Sequence, residues 1–291
     1  MIRVAIQGEA GSFSHAAVEQ LLPREFDLVP CQTFTQTFEA VLSGAADRAV
    51  LPVENSLAGP VVENLDLLWS TGLRIMGETQ VRVHLCLSAR PGVAFEEIRS
   101  VASHAVALKQ CNSLFEENPS LESIIAYDTA GSVRDMMLGT TTYDAAIASP
   151  LAAQMYGAKV LLTDVEDDHQ NYTRFFELGA PDPTNVKTVR PFSITGGVRV
   201  AAAVVIQNEP NSLHGVLRVI GNHGVDITQI VARPIKGAPW QYRFYMELRA
   251  PNVYARRDCL AELEKVTGEI RIFGTYSDYV VDASITKDLL P

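Results

Sequence analysis

At 291 residues, 47% hydrophobic and 20% charged, the chain is long enough for two domains with buried cores and has an ordinary globular composition. A formal net charge of −10 argues against a nucleic-acid partner or an anionic membrane surface, so an anionic small substrate would need local donors. No window reaches the ~18–20 apolar residues of a spanning helix, the start MIRVAIQGEAGSF has no signal-peptide pattern, and the four cysteines show no CxxC spacing. A cytoplasmic protein with buried free thiols is expected.

Residues 1–179 alternate short β-rich runs with helical patterns. IRVAIQG reads as a strand and SHAAVEQLL as a helix; FTQTFEAVLSG is a helix with a glycine stop, before the strand RAVLPVE. VENLDLLWSTG is a further helix, and LRIMGETQVRVHLCLSA is strand material crossing into a second unit. There IRSVASH, SIIAYD and YDAAIAS are strands, with helices AVALKQCNSLFEEN, AGSVRDMMLG and LAAQMYG; TRFFELG closes the region as a strand. Strands spaced by helices of 10–15 residues predict βα units and a mostly parallel sheet covered on both faces. Residues 180–198, with three prolines and a Gly-Gly pair, read as a linker.

Residues 199–280 follow another grammar. VRVAAAVVIQN is a buried-strand run, and Leu213, Val216, Leu217 and Ile220 form a helical stripe opened by Asn211 or Ser212. VDITQIVARP is a strand ended by proline, and YRFYMELRA alternates Tyr242, Phe244, Met246 and Leu248 on one face. A second helix, RRDCLAELEKVTG, and a last strand, EIRIFGTY, complete a β-α-β-β-α-β order, the α+β ferredoxin-like sandwich.

Polar clusters stand at the strand-to-helix junctions of the first region, where open α/β sheets bind ligands. QGEAGSFSHAA offers Gly8, Gly11, Ser12 and Ser14 at a helix start but matches neither a dinucleotide fingerprint nor a P-loop. PVENSLAG places Asn55 and Ser56 directly after a strand, where an Asn amide offers both donor and acceptor. SVASHAVALKQC has Ser103 and His104 at a strand end and Gln110 about two helical turns further, and His104 reads first as a helix cap. YDTAGSV brackets a glycine with Thr129 and Ser132, an anion-friendly nest. In DDHQNYTRFF, strand alternation puts Thr173 and Phe175 on one face and Arg174 on the other. Asp167, Asp168 and His169 lack helical i, i+4 ligand spacing and read as a solvated loop, so no metal is expected.

GEAGSFSHAA, PVENSLAG, SHAVALKQC, DTAGS and NYTRF together resemble the prephenate dehydratase family, in that family's order, and residues 199–280 resemble the ACT regulatory domain that follows it. The resemblance covers roughly residues 1–280 and implies a two-lobed α/β fold like a type II periplasmic binding protein. Lobe one would be residues 1–78 with 155–179, and lobe two residues 80–150. It implies decarboxylative dehydration of prephenate to phenylpyruvate in phenylalanine synthesis, without a cofactor. The family assigns hydrogen-bond donation at the departing oxygen to the position of Thr173. Asn55, Ser56, Ser103, Gln110, Thr129, Ser132, Arg174 and Phe175 would bind substrate. Asn208, Asn211, Leu213 and Gly215 would line an effector pocket for L-phenylalanine, and pairing of ACT sheets would give a homodimer or homotetramer. The family's E-S-R-P segment reads Val231-Ala232-Arg233-Pro234 here, and the residues usual after Ser-His are replaced by Ala105-Val106. Arogenate dehydration, on the transaminated substrate, is the rival reaction; a non-catalytic small-anion sensor is the rival of another class.

Overall fold

The computed structural model describes residues 1–22, 25–180, 198–206 and 209–277. Its contacts divide the chain into two units, one of residues 1–64 with 79–176 and one of 65–78 with residues from 177 onward. Most of the expected linker, 181–197, lies outside the described residues, as does Asn208.

The first unit grows from β1 (Ile2–Gln7), in which Val4, Ala5 and Ile6 are wholly buried because both sheet faces are covered. It pairs in parallel with β2 (Phe26–Cys31) and β3 (Arg48–Asn55), while α1 (Phe13–Leu21) and α2 (Phe34–Leu42) make the crossovers. A two-residue β4 (Gly59–Pro60) pairs off β3, followed by α3 (Val62–Thr71) and β5 (Arg74–Arg82). The boundary between the units falls inside α3 and inside β5.

A second sheet follows, made from β6 (Cys86–Ala89), β7 (Ser100–His104), β8 (Glu122–Ala126), β9 (Ala145–Ala148) and β10 (Lys159–Leu162), in the order β10-β6-β9-β7-β8. Its helices are α4 (Ala105–Lys109), α5 (Asn112–Glu117), α6 (Thr129–Leu138) and α7 (Pro150–Tyr156). The chain then returns to the first sheet as β11 (Tyr172–Gly179), giving that sheet the order β2-β1-β3-β11-β5.

The helix ends are where local chemistry predicts them. Ser12, Thr33, Asp128 and Ser149 accept backbone hydrogen bonds as N-caps, and Pro150 follows Ser149 at the first helical position. Gly139 and Gly157 end α6 and α7 in the left-handed conformation. The two sheets meet at Gly11: a Cβ there would lie 2.7 Å from the Ala152 Cα, and its φ is +86°. Ser149 Oγ donates to the Gly11 carbonyl at 2.5 Å, and the Tyr156 hydroxyl donates to Ala10 at 2.9 Å.

Two expectations about the lobes change. Residues 159–162 pair antiparallel with β6 in the second sheet, so the return to the first sheet comes at Tyr172 rather than at 155. Residues 65–78 group with the C-terminal unit, although β5, which begins within them, pairs in the first sheet. Both are decided by through-space pairing of short apolar runs, which periodicity does not report.

The C-terminal unit is the expected β-α-β-β-α-β sandwich: β12 (Val198–Val205), α8 (Ser212–Asn222), β13 (Asp226–Pro234), β14 (Tyr242–Ala250), α9 (Val253–Val266) and β15 (Glu269–Ser277). Its antiparallel sheet has the order β13-β14-β12-β15. Phe244, Met246 and Leu248 face the helix-covered core, as the alternation predicts. The α8 stripe differs: Val216, Val219 and Ile220 are buried, Leu213 packs at the edge, and Leu217 is 37% exposed. On the other face the Trp69 ring lies between the guanidinium carbons of Arg243, at 3.7 Å, and Arg271, at 4.1 Å. Asp66 receives Arg233 Nη2 at 2.6 Å, which gives the Arg of the Val-Ala-Arg-Pro segment a structural partner.

Candidate active site

The first sheet reverses direction of growth at β1, with β2 on one side and β3 on the other, so a crevice opens at the carboxyl ends of β1 and β3. The loops beginning at Gly8 and at Ser56 leave from those two ends. β11 lies beside β3 and carries Thr173 into the same region. A cavity of about 200 Å³ is lined there by Thr173 and Phe175 together with Ser12, Ser14, His104, Tyr127 and Thr129. Arg174 points the other way, as the alternation predicts, pairing with Glu54 at 3.3 Å and lying 5.6 Å over the Phe176 ring. It frames the strand and does not line the cavity.

Asn55 organises the Thr173 hydroxyl. Its Oδ1 accepts from the backbone N–H groups of Leu57, at 3.0 Å, and Ala58, at 2.8 Å, which identifies Nδ2 as the outward donor. Nδ2 then donates to Asn171 Oδ1 at 2.7 Å, Thr173 Oγ at 3.0 Å and the Tyr172 carbonyl at 3.2 Å. Asn171 is fully buried and its carbonyl accepts from Val83 N–H at 2.8 Å. With a lone pair of Thr173 Oγ occupied by the amide, the hydroxyl keeps its own proton for another acceptor. The Asn55 amide thus bonds within the protein, and Asn55 is absent from the cavity lining. The spacing of residues 55 and 171 in the chain gave no sign of this pair.

Other hydroxyls expected at the site are also turned inward. Ser56 Oγ donates to the Gln170 carbonyl at 3.2 Å and accepts from Tyr172 N–H at 2.9 Å. Ser103 is wholly buried and donates to the Ile147 carbonyl at 2.6 Å; Ser132 is equally buried and donates to the Thr129 carbonyl at 2.6 Å. These three clamp the loop and the strand ends that surround the cavity. Gln110 ends α4, its carbonyl accepting from Asp167 N–H at 2.7 Å, and it is absent from the cavity lining. Thr129, at the opening of α6, does line the cavity. His104 does two things: its Nδ1 accepts from Val106 N–H at 3.3 Å as a cap of α4, and its side chain faces the Thr173 cavity.

The acid cluster ahead of β11 is scaffolding. Asp167 accepts from the N–H groups of Asn112 and Ser113 at 2.9 and 3.0 Å, holding the start of α5. Asp168 accepts from Gln170 N–H at 2.8 Å, and the His169 side chain is 60% exposed. The described residues bring His84, Asp164 and Glu166 within 4.8 Å of one another, a cluster that sequence spacing did not signal. Arg82 lies 3.5 Å from both of those carboxylates and supplies a positive charge there already. Burial pushes the Cys86 and Cys111 thiols up to about 12, so they are inert thiols in the core.

The Thr173 cavity shares the lining residues Gln7, Tyr127 and Asp128 with a larger neighbouring one of about 660 Å³, also lined by Gly8, Glu9, Cys31 and Arg134. Asp128 caps α6, its Oδ1 accepting from Gly131 N–H at 2.7 Å, and burial raises its carboxyl above the usual range. A third cavity, of about 220 Å³, lies in the C-terminal sandwich between Asn211, Leu213, His214, Trp240, Tyr242 and Phe244. Gly215 sits one residue beyond its lining, on α8.

Residues 4–183 match the family model described as prephenate dehydratase. Arogenate dehydratase 5, chloroplastic, from Arabidopsis thaliana is 36% identical, aligned over 94% of this chain and 67% of its own length. The chain thus spans about two thirds of that relative. Among solved structures, a prephenate dehydratase from Arthrobacter aurescens in complex with L-Phe superposes with a TM-score of 0.83 at 29% identity, covering 94% of this chain and 90% of that one. A structure described as GqqA, a novel type of quorum quenching acylase, has a TM-score of 0.82 at 30% identity, covering 94% and 97%. The coverage of both lobes and the sandwich, and the constellation around Thr173, lead to one conclusion: the chain belongs to the prephenate dehydratase family.

Proposed function

We propose that this chain catalyses the decarboxylative dehydration of prephenate to phenylpyruvate, the lyase step that commits carbon to phenylalanine. The observation that carries the reading is the Thr173 hydroxyl, which accepts from the Asn55 amide and lines the cavity beside Phe175. In prephenate the ring hydroxyl sits on C4 and the departing carboxylate on C1. The C–CO2 bond breaks, its electron pair moves into the ring, and the C4–O bond breaks as the ring becomes aromatic. CO2 leaves, and the hydroxide needs one proton to leave as water. No strong base is demanded; a donor at the departing oxygen is.

A threonine hydroxyl is a weak acid, so Thr173 donates a hydrogen bond that stabilises the developing negative charge, and water relays the full proton. Thr129, at the opening of α6, lines the same cavity, and its hydroxyl holds a carboxylate with a neutral dipole. This is how a chain of net charge −10 accommodates a dianion. Phe175 keeps the ring side of the cavity apolar.

The test is direct. Purified protein supplied with prephenate is expected to release CO2 and form phenylpyruvate, read by its absorbance in alkali. A folded protein that turns over neither prephenate nor arogenate overturns the reading.

The C-terminal sandwich is proposed as an amino-acid-responsive ACT domain through which two copies pair, as homodimer or homotetramer. Asn211 and Leu213 line its cavity, and the Arthrobacter aurescens relative is described with L-Phe bound. Millimolar L-phenylalanine is expected to give a saturable heat in calorimetry, and no heat would reject the effector assignment. Among the described residues no helix is long and apolar enough to cross a membrane.

A further inference from the structure

The larger cavity carries a carboxylate whose partners leave part of it unused. Glu9, in the loop after β1, places Oε1 2.7 Å from Arg134 Nη1 and 3.5 Å from the Tyr127 hydroxyl. Arg134 Nη2 in turn donates to the Tyr127 oxygen at 2.8 Å. Oε2 of Glu9 makes no hydrogen bond among the described residues, and the side chain is 24% exposed on the cavity wall. Asp128, the other acid on this wall, is committed elsewhere. It caps α6, and its Oδ2 would lie 2.7 Å from a Cβ at position 8, where the chain has glycine.

The shape of the substrate says what Glu9 meets. In prephenate and its α-amino counterpart, arogenate, the hydroxyl is on C4 of the ring and the three-carbon arm is on C1, at the opposite end. With the hydroxyl at Thr173, the arm at the opposite end of the ring points away from Thr173, toward the neighbouring cavity that shares Gln7, Tyr127 and Asp128. The arm of prephenate ends in a keto group and a carboxylate, and that of arogenate in an ammonium and a carboxylate. A carboxylate oxygen can give nothing to a keto oxygen, since both only accept, whereas an ammonium brings three donors. Arg134, the one arginine or lysine among the described residues lining either cavity, has an Nη1 hydrogen beyond its pairs with Glu9, Tyr127 and Asp135 to offer the arm's carboxylate.

We infer that Glu9 is the specificity-determining residue that receives the α-ammonium of arogenate, so that the cleft dehydrates the amino acid substrate as well as the keto acid. The inference rests on the dehydratase reading of the cleft. Arogenate also brings one negative charge fewer to a wall that already holds two acids against one guanidinium, which favours it electrostatically.

The experiment is steady-state kinetics on both substrates for the wild type, Glu9→Gln and Glu9→Ala, with circular dichroism to confirm folding. The wild type is expected to turn over arogenate. Each variant is expected to lower the ratio of kcat/KM for arogenate over prephenate by at least ~10-fold, the smaller end of a lost hydrogen bond between charged groups. An unchanged ratio, with both substrates losing equally, would show that Glu9 only bridges to Arg134 and would overturn the inference. Turnover of prephenate without arogenate would also overturn it while leaving the dehydratase reading intact. Turnover of neither would bring down both.

Discussion

Thr173→Ala is expected to lower kcat on prephenate at least ~100-fold, the lower range for a lost acid or oxyanion donor. The side chain is small and only half-buried, so the fold survives its loss. What disappears is the cavity hydroxyl that accepts from the amide of Asn55. Because the bond to the departing oxygen strengthens only as charge develops, the deficit is expected in kcat, with KM changing less. Thr173→Ser, which keeps the hydroxyl, should recover much of the rate. A Thr173→Ala protein with wild-type kcat would remove Thr173 from the chemistry.

The second large effect is expected from Asn55→Asp, which changes one atom. It replaces the Nδ2 donor by a carboxylate oxygen facing three acceptors: Asn171 Oδ1, the Tyr172 carbonyl and Thr173 Oγ. The Thr173 hydroxyl then has a charged acceptor beside it and turns its proton inward, because hydrogen bonds to ionised groups are the stronger ones. The cavity loses its donor although Thr173 is still present, and kcat should fall by ~100-fold, as in Thr173→Ala. The double variant Asn55→Asp/Thr173→Ala should be no slower than the slower single one, since both remove the same proton. Multiplying losses would instead place Asn55 in contact with substrate. Thermal melts should also show a loss of about 1–3 kcal/mol, the cost of leaving the buried Asn171 amide oxygen without its donor.

These two expectations come from atoms that lie far apart in the chain. Local chemistry had exposed the surrounding frame. The run of β1 was legible as a doubly covered strand, and Ser12 and His104 were legible at strand-to-helix junctions. The alternation in Tyr172–Gly179 correctly separated Thr173 and Phe175 from Arg174, since a period of two needs no partner to be read. The same logic worked for Phe244, Met246 and Leu248 in β14. It worked less well on α8, where Leu217 fits the helical stripe but Val219 takes the buried place. A hydrophobic residue near the edge of a stripe is assigned by the curvature of the sheet beneath it, which the helix itself does not encode.

What the sequence could not reveal was which polar groups were already in use. Ser56, Ser103 and Ser132 stand at the right junctions, yet their hydroxyls go to Gln170, Ile147 and Thr129. Glu9 and Arg134 looked unremarkable singly and meet across the cleft at 2.7 Å. The metal-like grouping of His84, Asp164 and Glu166 arose in the same way, beside Arg82.

By itself the sequence determined the βα units, the helix caps, the ferredoxin-like sandwich, the family, and the face on which Thr173 lies. Each follows from residues within a turn or two of one another, or from motifs held in order. Only the tertiary structure decided that β10 belongs to the second sheet, that residues 65–78 group with the C-terminal unit, and that the amide of Asn55 donates to Thr173 Oγ. Strand partners and hydrogen-bond partners are chosen by distance after folding, and a buried group spent on a neighbour has nothing left for a ligand.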